Sequence, residues 1–326
     1  MVANTALIAI TGATGFVGGS VARYLSTHSE FLVRVAVRGD YVDPVNALEV
    51  VRITSIEPDV QWDHFVKDAD VIIHAAARVH VMNDTSTDPE AEYLRINVDG
   101  TLNLAQQAAA AGVKRFIFIS SIKVNGEATA AGQSFVADQL PDPCDPYGVS
   151  KTKAEQGLRE LAARTGMEVV IIRPVLVYGP GVKANFLSMM RWLDKGVPLP
   201  LGAINNRRSL VALDNLVDLI ATCIEHPAAA NQTFLVSDGE DLSTTQLLKQ
   251  MARALGKPPR LVPVPAWGLI TVATLLGKRA FSQRLCGSLQ VDIAKTCTML
   301  DWTPPVSVEE AMRKTAQYYL EHKNDE

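Results

Sequence analysis

Tyr147 and Lys151 stand four residues apart in the run Tyr-Gly-Val-Ser-Lys. On a helix, that spacing places both side chains on one face. A free tyrosine has a pKa of about 10, too high for proton transfer at neutral pH. A neighbouring ammonium favours the phenolate and makes the tyrosine a usable acid and base. Ser120 and Ser121 close an apolar run at 115–120, and a strand-end hydroxyl can orient a substrate oxygen. Tyr and Lys at this spacing also occur by chance. The set gains weight from a second motif near the start of the chain.

That motif is Thr11-Gly12-Ala13-Thr14-Gly15-Phe16-Val17-Gly18, between an apolar strand pattern and a helical one. Gly12 permits the tight turn, Gly15 lets a pyrophosphate approach the backbone, and Gly18 lets helix and strand pack closely. The following helix offers free N–H groups and the positive end of its dipole to the phosphates. In this context the loop predicts dinucleotide binding. The end of the second strand distinguishes the two common dinucleotides, because an acid there binds the ribose 2′-OH and an arginine accommodates a 2′-phosphate. The chain reads Val37-Arg38-Gly39-Asp40. Arg38 favours NADP(H); with Asp40 as the ribose ligand, NAD(H) is the alternative.

Both motifs need a scaffold that brings strand ends together. Strand patterns recur at 6–10, 32–37, 70–75, 115–120 and 168–173, and helical patterns at 17–26, 91–111 and 147–164. Strands apolar throughout and separated by helices predict a parallel sheet covered on both faces, the doubly wound α/β fold of Rossmann type. Its ligands lie at the carboxyl ends of the strands. After about Gly179 the rhythm breaks and Pro and Gly recur. The expected organisation is a dinucleotide-binding domain over 1–178 and a smaller, irregular substrate lobe over 179–326. Segments within about 208–238, including a strand at 233–237, return to the first domain.

Composition narrows the function classes. The chain has 326 residues, 48% hydrophobic and 20% charged, with a net charge of -4. That is a globular composition with no bulk charge to draw it to nucleic acid or an anionic surface. The four cysteines, Cys144, Cys223, Cys286 and Cys297, form no CxxC pair, so no metal site is expected. Scattered thiols suit a reducing compartment, and the first residues lack the pattern of a signal peptide. The apolar stretch at 266–277 is too short to span a bilayer. A cytoplasmic protein without membrane insertion is expected. Several residues invite bland readings: His74 as a buried structural histidine, Asn97 as a backbone-organising amide, Lys123 as solvated or substrate-facing, and Cys144 as a passive loop thiol. Trp267 is expected to pack in the smaller lobe, with a membrane contact as the alternative.

The loop TGATGFVG, the HAAA at 74–77, the serines at 120–121, YGVSK at 147–151 and RPVLVYGPG at 173–181 resemble the extended short-chain dehydrogenase/reductases. Within these the chain is similar to the nucleotide-sugar epimerases, dehydratases and reductases, and the likeness includes RRSLVALDNLVDL at 207–219. FIFISSIKVNGE resembles bacterial O-antigen enzymes that make UDP-N-acetyl-6-deoxyhexosamines of the quinovosamine or fucosamine type. The resemblance implies Ser121 as the catalytic hydroxyl, Tyr147 as acid and base, and Lys151 as the residue that lowers the tyrosine pKa and holds the nicotinamide ribose. It implies that Ala75, Ala76, Ala77 and Pro174 line the cofactor, with Ser55 and Ile56 at the adenine. Asn185 and Arg208 match positions that bind the nucleotide diphosphate, and Phe186 and Pro200 match the uracil pocket. It also implies a homodimer through the helices at 91–111 and 147–164.

One departure bears on the reaction. Dehydratases of this group carry Asp-Glu directly after the catalytic Ser or Thr, where this chain has Ile122-Lys123. Without that acid and base, dehydration ranks low. The leading expectation is NADPH-dependent reduction of the C4 ketone of a UDP-4-keto-6-deoxy-N-acetylhexosamine for surface polysaccharide. The alternative is an NAD-dependent UDP-hexose 4-epimerase, of UDP-glucose or UDP-N-acetylglucosamine type. A non-enzymatic NADP-sensing regulator ranks below both, because a sensor needs no intact Ser121, Tyr147 and Lys151.

Overall fold

In the computed structural model, residues 5–39, 47–79, 88–275, 277 and 285–323 are described. Seven parallel strands form the main sheet: β1 (Ala6–Thr11), β2 (Phe31–Arg38), β3 (Glu49–Ile53), β4 (Val71–His74), β5 (Arg115–Ile119), β6 (Glu168–Pro174) and β9 (Thr233–Val236), in the order β3-β2-β1-β4-β5-β6-β9. The order reverses direction between β1 and β4, which opens a crevice at their carboxyl ends. This is the α/β architecture that the apolar strand pattern predicts.

Period-two alternation sends side chains to both faces. Ile8 and Ile10 of β1 face a core shared with Val21 and Leu25 of α1 (Phe16–Ser26) and Leu216 and Ile220 of α7 (Leu213–Glu225). Ala9, between them, faces the opposite core, with Leu104 of α4 (Thr101–Ala110) and Leu158 of α5 (Pro146–Thr165). The short α2 (Asp63–Val66) adds Phe65 to that side. Arg115, buried in β5, is satisfied by Glu168 and by the carbonyls of Cys223, Ile224 and His226 at the end of α7. It thereby ties a helix C-terminus, the negative end of a dipole, to the sheet.

The helix expected over 91–111 is three pieces. α3 (Pro89–Leu94) leads into a π-helical turn at Arg95–Gly100, which continues as α4. Such turns concentrate at functional sites. Here the wide turn brings Gly100 against the loop after β3, where a Cβ would lie 2.4 Å from the Ile56 carbonyl oxygen.

A second, three-stranded sheet has the order β10-β8-β7, from β7 (Leu176–Tyr178), β8 (Arg208–Ala212) and β10 (Asp241–Leu242). With α6 (Ala184–Asp194), α8 (Thr244–Ala254) and α11 (Val308–His322), it encloses a separate core that includes Met190, Leu248 and Met312. The segment expected to return at 208–238 divides. β9 pairs with β6, and α7 covers the main sheet, but β8 joins the small sheet. The physical reason is again alternation: Leu210 faces the lobe core and Val211 the main one. α10 (Ala294–Leu300) docks back on β9 through the Thr296 hydroxyl, which donates to the Leu235 carbonyl over 2.7 Å.

α9 (Ala266–Leu275) overturns one expectation. Ala266 and Leu269 pack on the lobe core, but Trp267 is 73% exposed and Leu275 81% exposed. Trp267 therefore does not pack in the lobe. Among the described residues, no helix is long and apolar enough to cross a membrane.

Candidate active site

Ser121, Tyr147 and Lys151 converge at the carboxyl end of β5. Pro146 begins α5, and the Asp145 carboxylate caps it by accepting the Gly148 N–H over 2.7 Å. The other Asp145 oxygen pairs with the Lys123 ammonium, in the single 3-10 turn that follows Ser121. Lys123 is thus committed to an ion pair that locks the serine turn to the helix carrying Tyr147. Gly148 permits the close approach, since a Cβ there would lie 2.8 Å from the Lys123 carbonyl oxygen.

Tyr147 is half-buried, and burial raises its pKa above the usual phenol value. The Asp145 charge adds to the rise, and a hydrogen bond with Ser121 opposes it. Lys151 is buried, and its ammonium donates to the Ile119 carbonyl over 2.8 Å, 4.3 Å from the Phe118 ring centre and 6.0 Å from that of Tyr147. Burial lowers its pKa to about 7, against the pull of Glu155. On its own, the site therefore holds a protonated phenol beside a readily discharged amine. A further positive charge next to the phenol is what favours its phenolate.

A charged base lies beneath this triad, and sequence reasoning missed it. Glu155, fully buried, accepts from Arg173 at 2.6 and 2.9 Å, from Arg159 at 2.9 Å and from Ser120 at 2.6 Å. Arg173 also donates to the Asn125 side chain over 2.9 Å. Ser120 thus faces inward and Ser121 faces the site. The available signal was spacing: Glu155 follows Lys151 by four residues, and Arg173 immediately precedes Pro174.

The dinucleotide residues surround the crevice. Gly12 has φ +76°, and a Cβ on it would meet the Ala76 nitrogen at 2.7 Å. Gly15 occupies the N-cap of α1 with no side-chain cap, which leaves the first amides around Phe16 and Val17 open to an anion. Thr14 is exposed beside them. At Gly18 a Cβ would lie 2.4 Å from the Gly12 carbonyl oxygen, so helix and loop touch there. His74 is buried between the hydroxyls of Thr11, at 2.7 Å, and Thr101, at 3.0 Å. Burial lowers its pKa to about 3, so it is a neutral structural bridge. Asn97, in the π turn, holds the Arg78 backbone and donates to Ser150 over 3.0 Å, joining the loop after β4 to α5. Ala75, Ala76 and Ala77 line this loop, half-buried.

Arg38 is exposed at the end of β2, paired in register with Ile53. Ser55 and Ile56 follow at the same margin, and Asp40 lies outside the described residues. Pro174 ends β6 opposite Val236. A cradle only glycine fits, uncapped amides and a polar margin fit a dinucleotide. Gly12, Gly15, Phe16 and Val17 would hold its phosphates, and Lys151 its nicotinamide ribose.

The substrate residues are dispersed. Asn185 is exposed in the first turn of α6, and Pro200 is exposed. Arg208 is half-buried and donates to the Gly287 carbonyl over 3.1 Å. Phe186 is 2% exposed and stacks on Tyr178 in the lobe core, with ring centres 5.4 Å apart, which leaves no face for a uracil ring. Cys144 is exposed with a free thiol. Among the described residues, no group of His, Cys, Asp and Glu could hold a metal ion.

Residues 8–237 match the NAD dependent epimerase/dehydratase family. The chain belongs to this family. A UDP-glucose 4-epimerase of Vibrio cholerae is 49% identical over 97% of this chain and 96% of its own length. A UDP-glucuronic acid 4-epimerase of Bacillus cereus, solved with NAD, shares the fold with a TM-score of 0.78 at 20% identity, covering 97% of this chain and 99% of that one. RMD of Pseudomonas aeruginosa, solved with NADPH, has a TM-score of 0.76 at 24% identity, covering 98% and 100%. The epimerase/dehydratase family thus accounts for the sheet order and the glycine cradle. The chain is an extended short-chain dehydrogenase/reductase of the nucleotide-sugar group, in a family described as NAD dependent.

Proposed function

We propose that this protein is a 4-epimerase of a UDP-linked hexose, working with bound NAD. The observation that carries this choice over ketone reduction is the 49% identity to the Vibrio cholerae UDP-glucose 4-epimerase across nearly both whole chains. The site's geometry supports the chemistry. Tyr147 takes the proton of the sugar C4 hydroxyl as the C4 hydride departs, and Ser121 holds that oxygen. Lys151, charged below about pH 7, favours the phenolate that accepts the proton. After the keto sugar turns over, Tyr147 returns the proton to the same oxygen on the opposite face. A dinucleotide held by the glycine loop and Lys151 would supply both the acceptor and the donor of the hydride, so the cycle would have no net redox change. Ile122 and Lys123 occupy the places of a dehydratase acid pair, and Lys123 is tied to Asp145, which disfavours loss of water.

A second reading, the C4 ketoreductase, draws support from Arg38, exposed where a 2′-phosphate would sit. One preparation separates the two. Freshly purified protein is denatured and the released dinucleotide identified, and the intact enzyme is assayed with UDP-glucose and UDP-N-acetylglucosamine. Stoichiometric NAD(H) with interconversion at C4 supports the epimerase. An empty site, with NADPH consumed only on a UDP-4-keto-6-deoxy-N-acetylhexosamine, supports the reductase.

A further inference from the structure

The charge of this chain is unevenly distributed. From Leu242 to Val291 the sequence contains no Asp or Glu, yet it contains Lys249, Arg253, Lys257, Arg260, Lys278, Arg279 and Arg284. A chain of net charge -4 thus carries a fifty-residue block of charge +7, counting those seven. The last three lie outside the described residues; the first four are all exposed. The apolar α9 lies inside this block, with Trp267 73% and Leu275 81% exposed. The ribbon leading to it is continuous with α9. Val262 is 47% exposed and its N–H donates to the Leu199 carbonyl, while Arg260 donates to the Gly196 carbonyl beside the exposed Val197.

We propose that this face of the smaller lobe docks on the surface of an anionic phospholipid bilayer. An exposed aromatic and aliphatic helix inside a basic, acid-free stretch of chain, with Lys249, Arg253 and Arg260 exposed, suits the headgroup boundary, where indole rings settle and basic residues meet anionic lipids. α9 has ten residues and is about 15 Å long, half of a hydrocarbon core of about 30 Å, so it lies along the boundary and does not cross. A second copy of the chain is the poorer occupant. A two-fold contact through this face would set two copies of a basic stretch, with exposed Lys249, Arg253 and Arg260, against each other. The inference does not depend on which reaction the site performs.

Flotation of the full-length protein tests it, with vesicles of mixed phosphatidylglycerol and phosphatidylcholine against phosphatidylcholine alone, in low and high salt. The protein is expected to float with the anionic vesicles only and to be released by salt. Trp267→Ser with Leu275→Ser lowers binding by roughly tenfold or more. Arg253→Gln and Arg260→Gln each lower it about fivefold. All of these positions are exposed, so an unchanged melting temperature confirms the fold. A parent protein that stays with the aqueous phase overturns the proposal, as does a serine variant that floats equally well. So does an oligomer in sedimentation velocity that the serine variant dissociates, which would make the face a contact between copies.

Discussion

Burial shifts Tyr147 and Lys151 in opposite directions because in each it penalises the charged form. For Lys151 the folded pKa of about 7 lies below the ordinary 10.5. Between those values the unfolded chain binds the proton that the folded chain has released, so this site's contribution to stability rises with pH through that window. Below it, the full cost of burying the ammonium persists. Lys151→Met is therefore expected to raise the melting temperature at neutral pH by roughly 2 °C or more while abolishing turnover, as a thermal scan and an assay would show. Tyr147→Phe removes the proposed proton carrier and its hydrogen bond with Ser121, and leaves the ring in place. Its turnover should drop by about a hundredfold to ten-thousandfold with dinucleotide affinity retained, and parent-like rates would refute the role. Arg173→Ala strips Glu155 of its two-pronged partner inside the protein, leaving Arg159 and Ser120. Chemical denaturation should register a loss of about 3–5 kcal/mol.

Elements carry the precision of the site, and here the legibility of the sequence was uneven. α1, α5 and five of the seven main strands follow from periodicity and apolar runs, and β9 was foreseen within the later segment. β3 was not, because Glu49 and Arg52 break its apolar run and its flank leaves it half-buried at the sheet margin. The π turn was invisible, since Arg95–Gly100 keeps a helical pattern through it. The triad was readable because its residues share one helix face and one strand end. Glu155 and Arg173 were not read, because their pairing crosses from α5 to β6, and the spacing of Glu155 from Lys151 puts it on the helix face without naming its partner. Phe186 misled because a motif position says nothing of the direction its ring faces. The joint between the serine turn and α5 yields a test at this scale. Gly148→Ala places a methyl 2.8 Å from the Lys123 carbonyl oxygen and 3.2 Å from the Pro143 Cβ. One element must shift by a few tenths of an ångström, so kcat should fall by about tenfold or more while the dinucleotide still binds.

For the whole molecule, dinucleotide binding is coupled to stability, because a ligand held only by the folded state stabilises it, by about 2.7 kcal/mol at a hundredfold excess over Kd. Thermal shifts with NADH and NADPH therefore rank the two cofactors without a substrate. Arg38→Asp should shrink the NADPH shift and spare the NADH shift; an equal change in both would remove Arg38 from the ribose. The path of the chain has a consequence for biosynthesis. β9, which completes the seven-stranded sheet, is made after β7, α6 and β8 of the lobe. A ribosome that has released only the first 178 residues has exposed β6 with nothing paired along its far side. The nascent sheet must wait for Thr233–Val236, and the intervening lobe is threaded before the sheet can close. A fragment cut at the boundary between the two cores would keep that bare strand permanently and so be prone to aggregate.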